Sequence, residues 1–201
     1  MLLRKDAKVE NMDYTILVNK EHLLLCDYVP EGLVEINEPM GSKLDKTYVN
    51  RLNSEVYAAF KQMQKDALKA GYEIFIDSSY RSYGYQDRIF NDVALKKGTE
   101  YAERFVAMPG ASEHQTGLAI DIIYRRNSEM IEEQTEDDAE IKWLCENAHK
   151  YGFILRYPKG KEKITGFNFE PWHFRYVGKI PAEKIFAQNI TLEEYHELLK
   201  I

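Results

Sequence analysis

The run Leu118-Ala119-Ile120-Asp121-Ile122-Ile123 has the composition of a buried β-strand, yet an aspartate stands in the middle of it. A carboxylate carried into a sheet is costly unless a charge or several hydrogen bonds meet it. By strand alternation Asp121 shares a face with Ala119 and Gly117, while Leu118, Ile120 and Ile122 point the other way into a core. The charged face is therefore lined by small residues, which leaves room beside the carboxylate. Asp121 either pairs with an arginine or ligates a cation.

Of the five histidines, His114 and His173 lie where strand patterning, glycine and further acids crowd together. His22, His149 and His196 fall near the N-terminal segment or on helix surfaces and read as ordinary side chains. His114 can fold back toward Asp121 only if the chain bends between them, and Thr116 and Gly117 permit that. Glu170 and His173 face opposite sides of a straight strand and converge only if it kinks, which Pro171 is placed to cause. His173 and Arg175 would then share a face. Two histidines and an aspartate with a fourth position left to water form the pattern of a catalytic zinc site. An unligated glutamate nearby is what a hydrolase needs for proton transfer. Spacing alone leaves the other reading equally open: Asp121 paired with an arginine and the histidines in the core.

At 201 residues and 44% hydrophobic positions, the chain can bury one sizeable core, and a single domain is expected, with an arm over 1–45 and a core over 46–201. Basic residues are scattered among more numerous acids (27 against 33), so a nucleic-acid partner is not expected. Cys26 and Cys145 lie in apolar settings without a CxxC partner and read as buried thiols. The start, Met1-Leu2-Leu3-Arg4-Lys5-Asp6, has no apolar signal-peptide region, and Leu23 to Cys26 is too short to span a bilayer. The expected setting is cytoplasmic; the alternative is an envelope-facing domain parted from an anchor. Oligomeric state is not readable.

Turn formers at 28–32 and 38–41 mark a wrapped arm rather than a core element. Leu52, Val56, Phe60, Met63 and Ala67 recur at helical spacing up to Gly71, which predicts a helix over 47–70. Tyr72 to Asp77 reads as a strand delivering the loop Ser78-Ser79-Tyr80-Arg81-Ser82. A helix over 85–97 should turn Ile89, Phe90, Val93 and Ala94 inward, and a shorter one covers 101–106. The acidic stretch 129–140 reads as a solvated loop, Ile141 to Tyr151 as a helix, and Phe153 to Leu155 as a strand. A loop or hairpin tip over 158–166 leads to a bent strand or strand pair over 167–177. Two helices close the chain, the second opening on the capping box Thr191-Leu192-Glu193-Glu194.

Ser112-Glu113-His114-Gln115-Thr116-Gly117-Leu118-Ala119-Ile120-Asp121 matches SxHxxGxAxD, and Glu170-Pro171-Trp172-His173 matches ExxH. With Ser79-Tyr80-Arg81-Ser82 and Gln86 upstream, the chain resembles the zinc D-alanyl-D-alanine peptidases of the VanY, VanXY and LdcB type, from about Tyr72 onward. The resemblance implies a small α+β fold, a mainly antiparallel sheet flanked by helices with a Zn2+ site on its face. It implies His114, Asp121 and His173 as zinc ligands, Glu170 as catalytic base and Arg81 as the group that stabilises the developing oxyanion. It gives Ser112 and Gln86 to the peptide terminus; Tyr80 and Trp172 are expected to pack the walls. The implied substrate is a peptidoglycan stem peptide or another D-Ala-terminated precursor. Ser78-Ser79 before Tyr80-Arg81 resembles the carboxypeptidases more than the dipeptidases, so removal of the terminal D-Ala is the first expectation. A dual dipeptidase and carboxypeptidase, an L,D-carboxypeptidase, an endopeptidase and a non-catalytic wall-binding module are the alternatives.

Overall fold

The computed structural model describes residues 13–37 and 48–200. The expected turn at 38–41, the start of the 47–70 helix and the N-terminal segment Met1 to Asp6 lie outside the described residues. No helix among the described residues is long and apolar enough to cross a membrane.

Strands β1 (Leu33–Glu35) and β2 (Arg51–Asn53) pair antiparallel, and α1 (Ser54–Lys69) follows at once. The helix begins later than its periodicity suggests because Arg51 to Asn53 are used in the ladder, and Asn53 caps it by accepting from the Glu55 and Val56 amides. Val56, Phe60, Met63 and Ala67 are wholly buried, the stripe read from the spacing. β3 (Glu73–Ser78), β4 (Ala119–Arg126), β7 (His173–Tyr176) and β6 (Phe153–Leu155) form an antiparallel sheet in that spatial order, with β5 (Glu129–Ile131) added on β4. Leu118, Ile120 and Ile122 enter the core beside Ile74, Ile76 and Phe174, which leaves Asp121 on the opposite face. This is the small α+β architecture with an antiparallel sheet.

The remaining elements are α2 (Tyr83–Lys97), α3 (Thr99–Phe105), α4 (Ala139–Asn147), α5 (Glu162–Thr165), α6 (Lys179–Gln188) and α7 (Leu192–Leu199). The capping box at Thr191 forms as read, with Thr191 and Glu194 each bonding the other's main chain. The expected solvated loop over 129–140 is found only at 132–138, which is irregular and largely exposed; Glu129–Ile131 form β5, and Ala139 and Glu140 open α4. Asn127 and Ser128 take positive φ of 52° and 69°, which turns β4 back into β5, and buried Glu140 pairs with Arg126. Pro158 to Gly166 contains the single turn α5. Only His173–Tyr176 of the expected 167–177 strand is extended, because Glu170 to His173 closes as a turn whose His173 amide donates to Glu170.

Three burial expectations are corrected. In α2 only Gln86 is buried; Ile89, Phe90, Val93 and Ala94 stay partly exposed, since this helix packs on α3 at the rim instead of lying across the sheet. The arm is held largely by its main chain, whose Leu25 and Tyr28 carbonyls accept from Gln115, so Cys26 is exposed; Cys145, on α4, packs against the edge of the core and is half-buried. The same arm nonetheless gives Ile36 to the core, with Tyr14 and Ile16 packed against it.

Candidate metal centre

Register brings the site together. Asp121 lies opposite His173 on β7 and opposite Ser78 on β3, where a bulge between Ile76 and Ser78 swings the following loop over the sheet face. His114 returns to this face by a 3-10 turn, Glu113–Thr116, closed by Gly117 in the left-handed region at φ 68°. A Cβ on Gly117 would also stand 2.8 Å from Cδ2 of Leu33, a side chain able to shift, so backbone strain dominates the cost of substitution. Gly117→Ala is expected to lose about 1–3 kcal/mol of stability, read by urea unfolding; parental stability would show that the bend tolerates a side chain.

One ligand atom each from His114, Asp121 and His173 lies within 4.8 Å of the others. The His173 Nδ1 is 3.0 Å from Asp121 Oδ1, the His114 Nε2 is 3.3 Å from the same oxygen, and the two rings meet edge to face at 4.9 Å. The far nitrogen of His114, Nδ1, lies 2.6 Å from the Ser79 carbonyl. A carbonyl only accepts, so Nδ1 carries the hydrogen and Nε2 keeps its lone pair. That Nε2 is buried and has no hydrogen-bond partner among the described residues. A buried lone pair aimed at a carboxylate and a second imidazole fits a divalent cation of the zinc type.

Arg81 donates to Asp121 Oδ2 and to Gln86 Oε1, each at 3.1 Å, and Gln86 donates to the Ala107 carbonyl at 2.8 Å. Asp121 thus meets an arginine as well as two histidines, so the two sequence readings coexist in one site. A cavity of about 190 Å³ opens here, lined by the three candidate ligands together with Arg81, Gln86, Ser112, Glu170 and Trp172. Every sequence-predicted site residue borders it; Tyr80 lines a neighbouring groove instead.

The charges follow from burial and neighbours. Burial opposes ionisation of Asp121, but His114, His173 and Arg81 outweigh it and hold the carboxyl well below its usual range. His114 is pushed down to about 4 by burial and then by Arg81. Burial also works against a charged His173, yet hydrogen bonds to Asp121 and Glu113 prevail and raise it to about 9. The side-chain carboxyl of half-buried Glu170 has no hydrogen-bond partner among the described residues, and desolvation lifts it to about 7.

Sequence reasoning missed what stands behind the histidines. Glu113 is fully buried, its Oε1 2.7 Å from both Arg156 Nε and Arg175 Nη1 and its Oε2 3.4 Å from His173 Nε2. Arg156 also forks onto Glu193 at 2.9 and 2.6 Å, and Arg175 donates to the carbonyls of Tyr14 and Ile16. Arg175 does share the His173 face. The available signal was Arg156, which ends the apolar run Phe153-Ile154-Leu155 much as Asp121 interrupts its own.

The profile of the VanY family, D-alanyl-D-alanine carboxypeptidase, matches residues 49–179. The bifunctional D-Ala-D-Ala dipeptidase and carboxypeptidase VanXYC of Enterococcus gallinarum is 41% identical over 69% of this chain and 75% of its own. Among solved structures, the LdcB LD-carboxypeptidase superposes with a TM-score of 0.80 at 46% identity, over 90% of this chain and 84% of its own. The vancomycin-resistance D,D-pentapeptidase VanY, solved in complex with Zn(II), superposes with a TM-score of 0.72 at 31% identity, over 92% of this chain and 99% of its own. On the fold, the converging ligands and these likenesses together, the chain belongs to the VanY family of D-alanyl-D-alanine carboxypeptidases.

Proposed function

We propose that this chain is a zinc-dependent carboxypeptidase that removes the terminal D-Ala from peptidoglycan stem peptides. The observation that carries the reading is the convergence of His114 Nε2, Asp121 Oδ1 and His173 Nδ1 on a cavity that also holds an unpaired glutamate and an arginine. A zinc ion bound by those three residues would polarise the scissile carbonyl and acidify a water. Glu170 accepts a proton from the attacking water and returns it to the departing amine nitrogen. Arg81, braced on Asp121 and Gln86, stabilises negative charge growing on the carbonyl oxygen. Ser112 and Gln86 lie on the same cavity and hold the terminal carboxylate of the peptide.

Arg81→Ala should lower kcat by about 10²–10³ with zinc retained, and Arg81→Lys should recover little of it because the planar fork is lost. Release of D-Ala under saturating substrate measures this; near-parental turnover in Arg81→Ala would take the guanidinium out of the reaction.

The greater likeness to LdcB than to the VanY structure supports a second reading, an L,D-carboxypeptidase acting on tetrapeptide stems. Mass analysis of products from pentapeptide stem, tetrapeptide stem and D-Ala-D-Ala, each incubated with the zinc-loaded protein, separates the readings. Loss of one alanine from the pentapeptide is the D,D outcome, and loss only from the tetrapeptide is the L,D outcome. Cleavage of the dipeptide beside the pentapeptide makes the enzyme bifunctional. Intact substrates in all three would sink the carboxypeptidase reading.

A further inference from the structure

His173 is held between two carboxylates, Asp121 at its Nδ1 and Glu113 at its Nε2. Such an imidazole, once neutral, has one hydrogen for two acceptors, and only one placement leaves Nδ1 with the lone pair that a cation shared with Asp121 and His114 requires. Tyr157 stacks on the ring at 4.9 Å and so restrains its face, but a stacked ring does not choose between tautomers. With Asp121 as its sole carboxylate, the ring would draw its hydrogen toward Nδ1. Glu113 supplies the opposing acceptor. Its side chain is fully buried, as are those of both arginines that fix its other oxygen at 2.7 Å, so it cannot swing away to another partner.

A buried ion cluster adds little net stability over apolar packing, so its presence points to what it holds in place. From this geometry we infer that Glu113 is a positioning residue for the metal centre. It keeps the His173 hydrogen on Nε2 and thereby presents Nδ1, while Arg156 and Arg175 fix the carboxylate that does so. The inference rests on the reading of the site as a zinc centre, and it assigns a role to a side chain that borders the cavity without belonging to the ligand set.

In Glu113→Gln the amide oxygen is drawn to the arginines, which leaves its NH2 facing Nε2; the ring must then accept there and carry its hydrogen on Nδ1. In Glu113→Asp the shorter carboxylate stays with the arginines and withdraws from the ring. Glu193→Gln weakens the grip on Arg156 yet leaves Glu113 against His173. The test measures the zinc affinity of the metal-free full chain by competition with a chromophoric chelator. Thermal unfolding of the metal-free proteins and the imidazole N–H signals of the zinc-loaded ones are recorded alongside.

Glu113→Gln and Glu113→Asp should bind zinc about 10–100-fold more weakly than the parent. Glu193→Gln should lose thermal stability with unchanged zinc affinity. The downfield His173 Nε2–H signal should persist in Glu193→Gln and vanish in Glu113→Gln. Parental zinc affinity in either Glu113 variant overturns the role, as does an affinity loss that merely tracks thermal stability across all the variants. Should Glu113→Gln fail to fold, Glu113→Asp carries the test. A parent chain that binds no zinc removes the metal reading and this inference together, whereas zinc-binding variants overturn the inference alone.

Discussion

Exchanging Glu170 for alanine lowers turnover by about 10²–10⁴-fold while zinc stays bound, the range over which a positioned acid–base group contributes. The separation of the two effects follows from place. Glu170 lies on the cavity wall outside the three converging ligand atoms, so its loss removes a proton carrier and leaves the metal's donors intact. Glu170→Gln should fall equally far, because an amide of the same shape accepts no proton at neutral pH. His173→Ala supplies the contrast, losing zinc and turnover together. Metal content by mass spectrometry and D-Ala release read on the same samples decide it. A Glu170→Ala protein keeping more than about a tenth of parental turnover would exclude the carboxylate from proton transfer.

Arg156→Ala destabilises the metal-free protein by about 3–5 kcal/mol, the usual cost of stripping one partner from a buried ion pair. Arg156 is wholly buried and meets two carboxylates, Glu113 and Glu193. Removal leaves Glu113 with Arg175 alone and unties the first turn of α7 from the sheet. Burial already opposes the charge on Glu113, and the two arginines together outweigh it and hold the carboxyl below its usual range. At ~2–4 °C per kcal/mol for a chain of this size, the midpoint should drop by about 6–20 °C. A double-mutant cycle with Glu193→Ala isolates the pairwise part. A loss below about 1 kcal/mol would place Arg156 among ordinary surface pairs.

The convergence of His114, Asp121 and His173 on one face was legible because its signals are discontinuities in strong patterns. Asp121 breaks a strand, Gly117 permits the reversal that returns His114, and Pro171 sets the turn between Glu170 and His173. Helix α1 and the Thr191 capping box were equally plain, since both rest on local spacing. What escaped depended on distant partners. Glu113 sits in a polar 3-10 turn with no periodicity to betray its burial, and its arginines arrive from β7 and from the residue that follows β6. Arg156 abuts Tyr157-Pro158, so it reads as the end of a strand rather than as a charge inside the protein. The inward face assigned to α2 failed for the converse reason: its apolar spacing is real, but the sheet is covered elsewhere and the helix lies at the rim. Cys26 follows the same logic, since apolar neighbours do not bury a residue where the main chain is what anchors the segment locally, as at Leu25 and Tyr28.

The buried arginine pair also constrains when this protein can finish folding as it leaves the ribosome. Arg175 requires carbonyls from Tyr14 and Ile16, and Arg156 requires the carboxylate of Glu193. The sheet can pair once β7 has been made, and Arg175 then has its partners, but Arg156 is fully compensated only when α7 has emerged with Glu193. Until then the cost of burying unmatched charge keeps the two faces from locking. Final packing around Arg156, beside the candidate metal centre, is thereby expected to wait for the last helix of the chain.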